Sequence, residues 1–173
     1  ETLEEDHVDR IYHDYHYGFP IESDDELFCR LVLEINQAGL SWTTILKKQD
    51  NIRKAYSNFN IGEVAQYGIP DVERLLQDEG IIRNKLKVNA AIYNAIQIVA
   101  LQESFGSFQI WLASHHPLPL QKWVQLFKKT FKFTGREITN EFLMSIGYLP
   151  GAHTCECSIY PKVIQSDPMW RQE

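Results

Sequence analysis

Glu34 is the side chain in this sequence best placed to do chemistry. It stands in Leu33-Glu34-Ile35-Asn36-Gln37-Ala38-Gly39-Leu40-Ser41-Trp42, at the end of an apolar run and just before a glycine-broken turn that delivers a tryptophan. On a helix Glu34 falls about 20° from Leu27, at the edge of the arc that carries Phe28, Leu31, Val32 and Ile35. A carboxylate there must be hydrogen-bonded, matched by a cation, or neutralised. Nearby backbone N–H groups would satisfy it, and so would a cationic ligand; the residue alone leaves both open. Tyr12, in Tyr12-His13-Asp14, and Trp42 are aromatic neighbours that suit either a core or a flat ligand. The cysteines, Cys29, Cys155 and Cys157, are odd in number, with one in the predicted helix and two separated by a single residue. Reduced thiols or a metal site fit that arrangement better than a disulfide framework.

The elements that position these groups are helices. Ser23-Asp24-Asp25-Glu26 has the Ser-x-x-Glu form of a capping box and predicts a helix over 24–36. Further helices are expected at about 43–56, 61–67, 71–79, 85–103, 107–115, 119–129 and 137–146, and no segment alternates like a strand for more than four residues. The fold class is all-α. Ile92, Tyr93, Ile96, Val99 and Ala100 mark 85–103 as the expected central helix. One domain is expected over 1–160, with a C-terminal tail at 161–173. Between Trp123 and Ile146 two helices flank Phe131-Lys132-Phe133-Thr134-Gly135, the outline of a helix-hairpin-helix. In that motif a Gly-containing turn and a helix N-terminus offer N–H groups to one phosphate, and lysines such as Lys129 and Lys132 add sequence-independent charge. Any αα-hairpin has such a turn, so the outline by itself is not specific.

The chain carries a net charge of −6, unevenly placed. Residues 1–40 hold eleven acidic and two basic side chains, and the remainder twelve and fifteen, so an acidic N-terminal part masks a mildly basic body. Clusters at Lys47-Lys48, Arg53-Lys54, Arg83/Lys85/Lys87 and Lys128-Lys129/Lys132/Arg136 suit either phosphate contact or plain solvation. Without an eighteen-residue apolar run or a signal-peptide pattern, a soluble, cytoplasmic chain with no membrane partner is expected.

Taken together the motifs resemble the 3-methyladenine DNA glycosylase I family, over long blocks from Tyr12 to about Tyr160. The matching residues are Tyr12-His13-Asp14 with Gly18 and Pro20, Leu33-Glu34, Gln37 through Trp42, and Leu46-Lys47-Lys48. Asp71 through Leu75, Gly80-Ile81-Ile82-Arg83 with Lys87, Asn94-Ala95, Phe131-Lys132-Phe133 with Gly135, and His153 with Cys157 complete the set. The resemblance implies a helix-hairpin-helix glycosylase of two closely joined helical lobes with the pocket between them. It implies a monomeric enzyme that flips 3-methyladenine out of alkylated double-stranded DNA, hydrolyses its N-glycosidic bond and releases free 3-methyladenine. Glu34 maps onto the pocket carboxylate, Tyr12 and Trp42 onto aromatic walls that stack on the base, and Tyr17 onto a further pocket aromatic. Leu40 maps onto the wedge that fills the vacated base stack. Lys129, Lys132 and Gly135 take the hairpin's phosphate-binding places.

The resemblance also implies a structural zinc held by His13, His153 and Cys157. The family's fourth ligand, a Cys, would precede residue 1, and Glu1, Glu4, His7 or Cys155 are the candidates within the chain to replace it. The lysine with which related lyases form a Schiff base is replaced by Glu137, and no Asp lies around His153–Cys157, so hydrolysis should stop at base removal. The chain departs from the family elsewhere. Tyr17 stands for a Trp, Arg136-Glu137 for small hydroxyl residues, Asn140 for a Tyr and Ile35 for a Gly, and no pocket Trp occurs among residues 1–11. The alternatives are a catalytically silent DNA-binding or interaction module on the same fold, and a small zinc-stapled helical protein.

Overall fold

Ser23 starts the helix around which the molecule is organised. Its hydroxyl accepts from the Glu26 N–H, α2 (Asp24–Gln37) follows, and every residue from Leu27 to Asn36 is buried. Only half of the expected capping box forms. The Glu26 carboxylate turns outward to a bidentate pair with Arg53, at 2.8 and 2.9 Å, a geometry that a guanidinium matches better than a backbone N–H does.

The computed structural model describes residues 7–172. In chain order α1 (Val8–Tyr15) precedes α2, and α3 (Trp42–Lys47), α4 (Gln49–Ala55), α5 (Ile61–Val64), α6 (Ile69–Gln77) and α7 (Lys85–Phe105) follow it. Next come α8 (Phe108–His115), α9 (Leu120–Thr130), α10 (Arg136–Ser145) and α11 (Tyr160–Gln165), with 3-10 turns at Ser57–Phe59 and Met169–Arg171. No strand occurs among the described residues. The predicted helix over 43–56 is two helices, because Lys48 takes φ −96°, ψ −2° and turns the chain between α3 and α4.

One continuous core runs through Phe28, Leu31, Ile45, Phe59, Val88, Ile98, Phe108, Trp111, Phe127 and Phe142. α7 is central, as expected, but on another face. It buries Val88, Ala90, Ala91, Ala95 and Ile98 and leaves Ile96 46% exposed. α7 packs against α5, α6 and α8 as well as α2. The segment after residue 160 folds back on this body. Val163 is buried and the Trp170 N–H donates to the Gly147 carbonyl. Gly147 (φ +77°) is needed there, since a Cβ would lie 3.0 Å from the Pro168 Cβ and 3.3 Å from the Gly18 carbonyl.

Candidate active site

A cleft of about 920 Å³ opens between the C-terminal end of α2 and the hairpin joining α9 to α10. On one side stand Glu34, Gln37, Gly39 and Trp42, and on the other Phe133, Gly135 and the first half of α10. The α2 side is built by its turn. Gly39 (φ +81°) reverses the chain, the Leu40 N–H donates to the Gln37 carbonyl at 2.7 Å, and the Gln37 side-chain amide donates to the Leu40 carbonyl at 2.8 Å. The buried Lys87 ammonium donates to the carbonyls of Asn36 and Ala38, both at 2.8 Å, and so fixes the end of α2 and the start of the turn together. Leu40 is thereby held at the rim, 38% exposed, and Ser41 caps α3 so that Trp42 enters the cleft from its first helical position.

Glu34 lies at the floor, 1% exposed, and its Oε1 is buried without a hydrogen bond. Burial raises its pKa to about 8 from an ordinary 4.5, the Arg30 guanidinium opposes the rise and the negative charge of Glu141 adds to it. Of the three ways to accommodate a buried carboxylate, burial at this site favours neutralisation. Arg30 does not pair with it. Its guanidinium donates to the Ser145 carbonyl at 3.0 Å and lies 5.0 Å over the Tyr12 ring. Tyr12 stacks on Trp42 with centroids 5.0 Å apart and planes at 21°, so Trp42 is the aromatic face presented to the cleft and Tyr12 backs it. The Tyr12 hydroxyl is buried without an aligned hydrogen bond, and burial holds its phenol firmly protonated. Tyr17 also stands one layer behind the lining and reaches the cleft through Glu141, whose Oε2 accepts from its hydroxyl at 3.1 Å.

The hairpin turn is less free than its outline implies. The Lys132 N–H donates to the Asn94 side chain at 2.8 Å and the Lys132 carbonyl accepts from it at 3.1 Å, so that amide is taken up holding the turn on α7. The Lys132 ammonium lies 4.2 Å from the Tyr93 ring centroid. Lys129 is exposed, and Gly135, the N-cap of α10, has nothing within 4 Å of where a Cβ would be. Gly135 gives α10 no side-chain cap. Of the other basic clusters, Arg53 is spent on Glu26 and the Lys48 ammonium donates to the Glu79 carbonyl.

His13, His153 and Cys157 come together, their potential ligand atoms all within 4.8 Å of one another. Cys157 Sγ lies 3.7 Å from His13 Nε2 and 3.4 Å from His153 Nδ1, close to the edges of a tetrahedron around an ion with bonds of about 2.0–2.3 Å. The outer nitrogens are engaged as such a site requires: His13 Nδ1 by Asp14 at 2.7 Å and His153 Nε2 by the Tyr17 carbonyl at 2.7 Å. Gly18 makes the approach possible, because at φ +88° a Cβ would lie 2.8 Å from the Ala152 Cβ. His7 instead caps α1 and Cys155 is exposed, and neither joins the cluster. Glu1 and Glu4 lie outside the described residues.

Arg30, Lys87 and Glu141 were not singled out by sequence reasoning. Arg30 had a signal, since it stands one helical turn before Glu34 on the same helix. Lys87 had its place in a matching block and in a basic cluster read as suited to phosphate or solvent, but it is buried and its ammonium is taken up by the Asn36 and Ala38 carbonyls. Glu141 had no signal, because its partner Tyr17 is 124 residues away.

The methyladenine glycosylase family model matches residues 2–125. DNA-3-methyladenine glycosylase 1 of Escherichia coli K12 is 36% identical over 169 residues, covering 87% of this chain and 90% of the relative. A crystal structure of 3-methyladenine DNA glycosylase I superposes with a TM-score of 0.80 at 32% identity, covering 91% of this chain and 97% of that one. A Tyr→Phe variant of 3-methyladenine DNA glycosylase I in complex with 3-methyladenine gives 0.81 at 29% identity, covering 90% and 94%. By the family match, these identities and the shared helical fold, the chain belongs to the methyladenine glycosylase family.

Proposed function

We propose that this chain is a monofunctional DNA glycosylase that removes 3-methyladenine from alkylated DNA by hydrolysis. The observation that carries the reading is Glu34 Oε1, buried and unpartnered at the floor of a cleft walled by Trp42 and the α9–α10 hairpin. Alkylation at N3 gives the base a positive charge and weakens its bond to C1′, so the protein has only to hold the flipped cation and admit water. Glu34 would accept from the base edge, and its charge, costly in the empty cleft, would be matched once a cation lies against it. Trp42, backed by Tyr12, would stack on the ring with a cation–π contribution of about 0.5–2 kcal/mol. Leu40, at the rim beside Gly39, would occupy the gap left in the stack. Glu137 lines the cleft on α10 where a lyase would need an amine, so the abasic strand should be left unbroken. A silent DNA-binding module has no physical reason to keep an unpaired buried carboxylate.

The donor set of His13, His153 and Cys157 suits a zinc ion, which would tie the end of α1 to the C-terminal segment as a structural clip. The chain is read as acting alone, as a monomer in the cytoplasm; no helix among the described residues is long and apolar enough to cross a membrane. The test is incubation with methylated duplex DNA and chromatography of the released bases. Release of 3-methyladenine with an intact abasic backbone is expected, and release of no base would refute the reading.

A further inference from the structure

The cleft is more acidic than one carboxylate makes it. α10 adds Glu137 and Glu141, one turn apart and on one face, and Arg136 is the single basic side chain of the lining. A phosphate is repelled by such a lining and a neutral base gains nothing from it. A cationic base gains from each carboxylate it approaches.

Of the two carboxylates on α10, Glu141 is the fixed one. Glu137 is exposed, whereas Glu141 is half-buried and held by the Tyr17 hydroxyl. The Tyr17 hydroxyl donates to Glu141 Oε2 at 3.1 Å and fixes where that carboxylate stands. One oxygen of Glu141 is thereby engaged, and among the described residues no hydrogen bond reaches the other. Its charge is felt across the cleft, since it adds to the rise in the Glu34 pKa. The titratable groups that interact with Glu34 are Arg30 on its own helix, Tyr12 from α1, Tyr17 just beyond α1 and Glu141 from α10. Two like charges across an empty cleft oppose each other, and a cation between them is attracted to both.

We propose that Glu141 is a specificity-determining residue: with Glu34 it forms a two-walled anionic seat that selects purine bases with a fixed positive charge over neutral purines. The proposal deepens the reading of the cleft as the base pocket and rests on it. Tyr17 is the positioning residue, setting where the Glu141 charge lies. The bland alternative is that Glu141 merely completes the hydrogen bonding of Tyr17.

Glu141→Gln separates the two, because the amide oxygen still accepts from Tyr17 while the charge is gone. Calorimetry would compare 3,9-dimethyladeninium, a fixed cation whose N9 methyl replaces the sugar, with neutral 9-methyladenine. The parent should prefer the cation. E141Q should narrow that preference about tenfold or more, chiefly by weakening the cation, and Glu141→Asp should recover part of it. Glu141→Ser provides the same reading if E141Q does not fold. An unchanged preference in E141Q, beside a parent that prefers the cation and releases 3-methyladenine from DNA, would overturn the proposal and leave the pocket reading standing. A parent without preference for the cation would overturn both.

Discussion

Replacing Glu34 by Gln should stabilise the protein and weaken its ligand binding at once, and the two effects have separate origins. In the folded chain Glu34 takes up its proton near pH 8, against an ordinary value of 4.5. Between those pH values the folded state holds a proton that the unfolded chain has released, so stability falls as pH rises through the window. The penalty is small below pH 4.5 and complete above pH 8. At about 1.36 kcal/mol per unit, the loss between pH 5 and pH 8.5 is on the order of 3–4 kcal/mol. Gln has nearly the same shape and no charge to lose. Its stability should match the parent near pH 5 and exceed it at pH 8.5, a gap of roughly 10 °C in melting temperature for a domain of this size. Binding should move the other way. Removing a charged acceptor should cost on the order of 1.5–3 kcal/mol in affinity for 3-methyladenine or its fixed-cation analogue. Urea melts of both proteins at half-unit pH steps, with calorimetric titration of the base, provide the two measurements. Parallel stability curves from pH 5 to 8.5 would refute the burial argument, and equal affinities would refute the assignment of Glu34 to the pocket.

Lys87→Met leaves the Asn36 and Ala38 carbonyls without their donor and should cost about 1–3 kcal/mol of stability, while excision from duplex DNA falls further than binding of the free base, as paired melts and kinetics would show. Leu40→Ala should lower excision from duplex DNA and leave affinity for free 3-methyladenine unchanged; equal losses in both assays would place Leu40 in the pocket and not in the base stack. Replacing Lys129 and Lys132 together by Ala should weaken binding to all DNA sequences alike and flatten the salt dependence by roughly one to two units of slope in an anisotropy titration. Cys157→Ser should abolish zinc retention measured by atomic absorption and lower the melting temperature of protein loaded with zinc, whereas an unchanged metal content would remove Cys157 from the ligand set.

What was legible in the sequence was what local rules control. Ser23 and the apolar spacing of Leu27, Phe28, Leu31 and Ile35 place α2 to within a residue, and Glu34 at the edge of that arc was already a carboxylate in need of an explanation. α1 was not legible because none of its residues is fully buried; it is held from outside, by the His7 cap and by the Thr43 hydroxyl donating to Asp9. The state of Glu34 was not legible either. The nearest cation, Arg30, stands one turn away on the same helix, where sequence spacing alone would pair the two. The fold instead commits that guanidinium to the Ser145 carbonyl and the Tyr12 ring, and both come from other helices. A direct pair would have lowered the Glu34 pKa and favoured its ionised form. Because Arg30 only moderates the burial, the carboxylate keeps an unmet demand for positive charge at the floor of the cleft. The charge of Glu141 adds to that demand from the opposite wall, and the Tyr17 hydrogen bond that places it is a contact between distant parts of the chain. Local pattern therefore locates the carboxylate, and tertiary packing leaves its buried Oε1 without a hydrogen bond at the floor of the cleft.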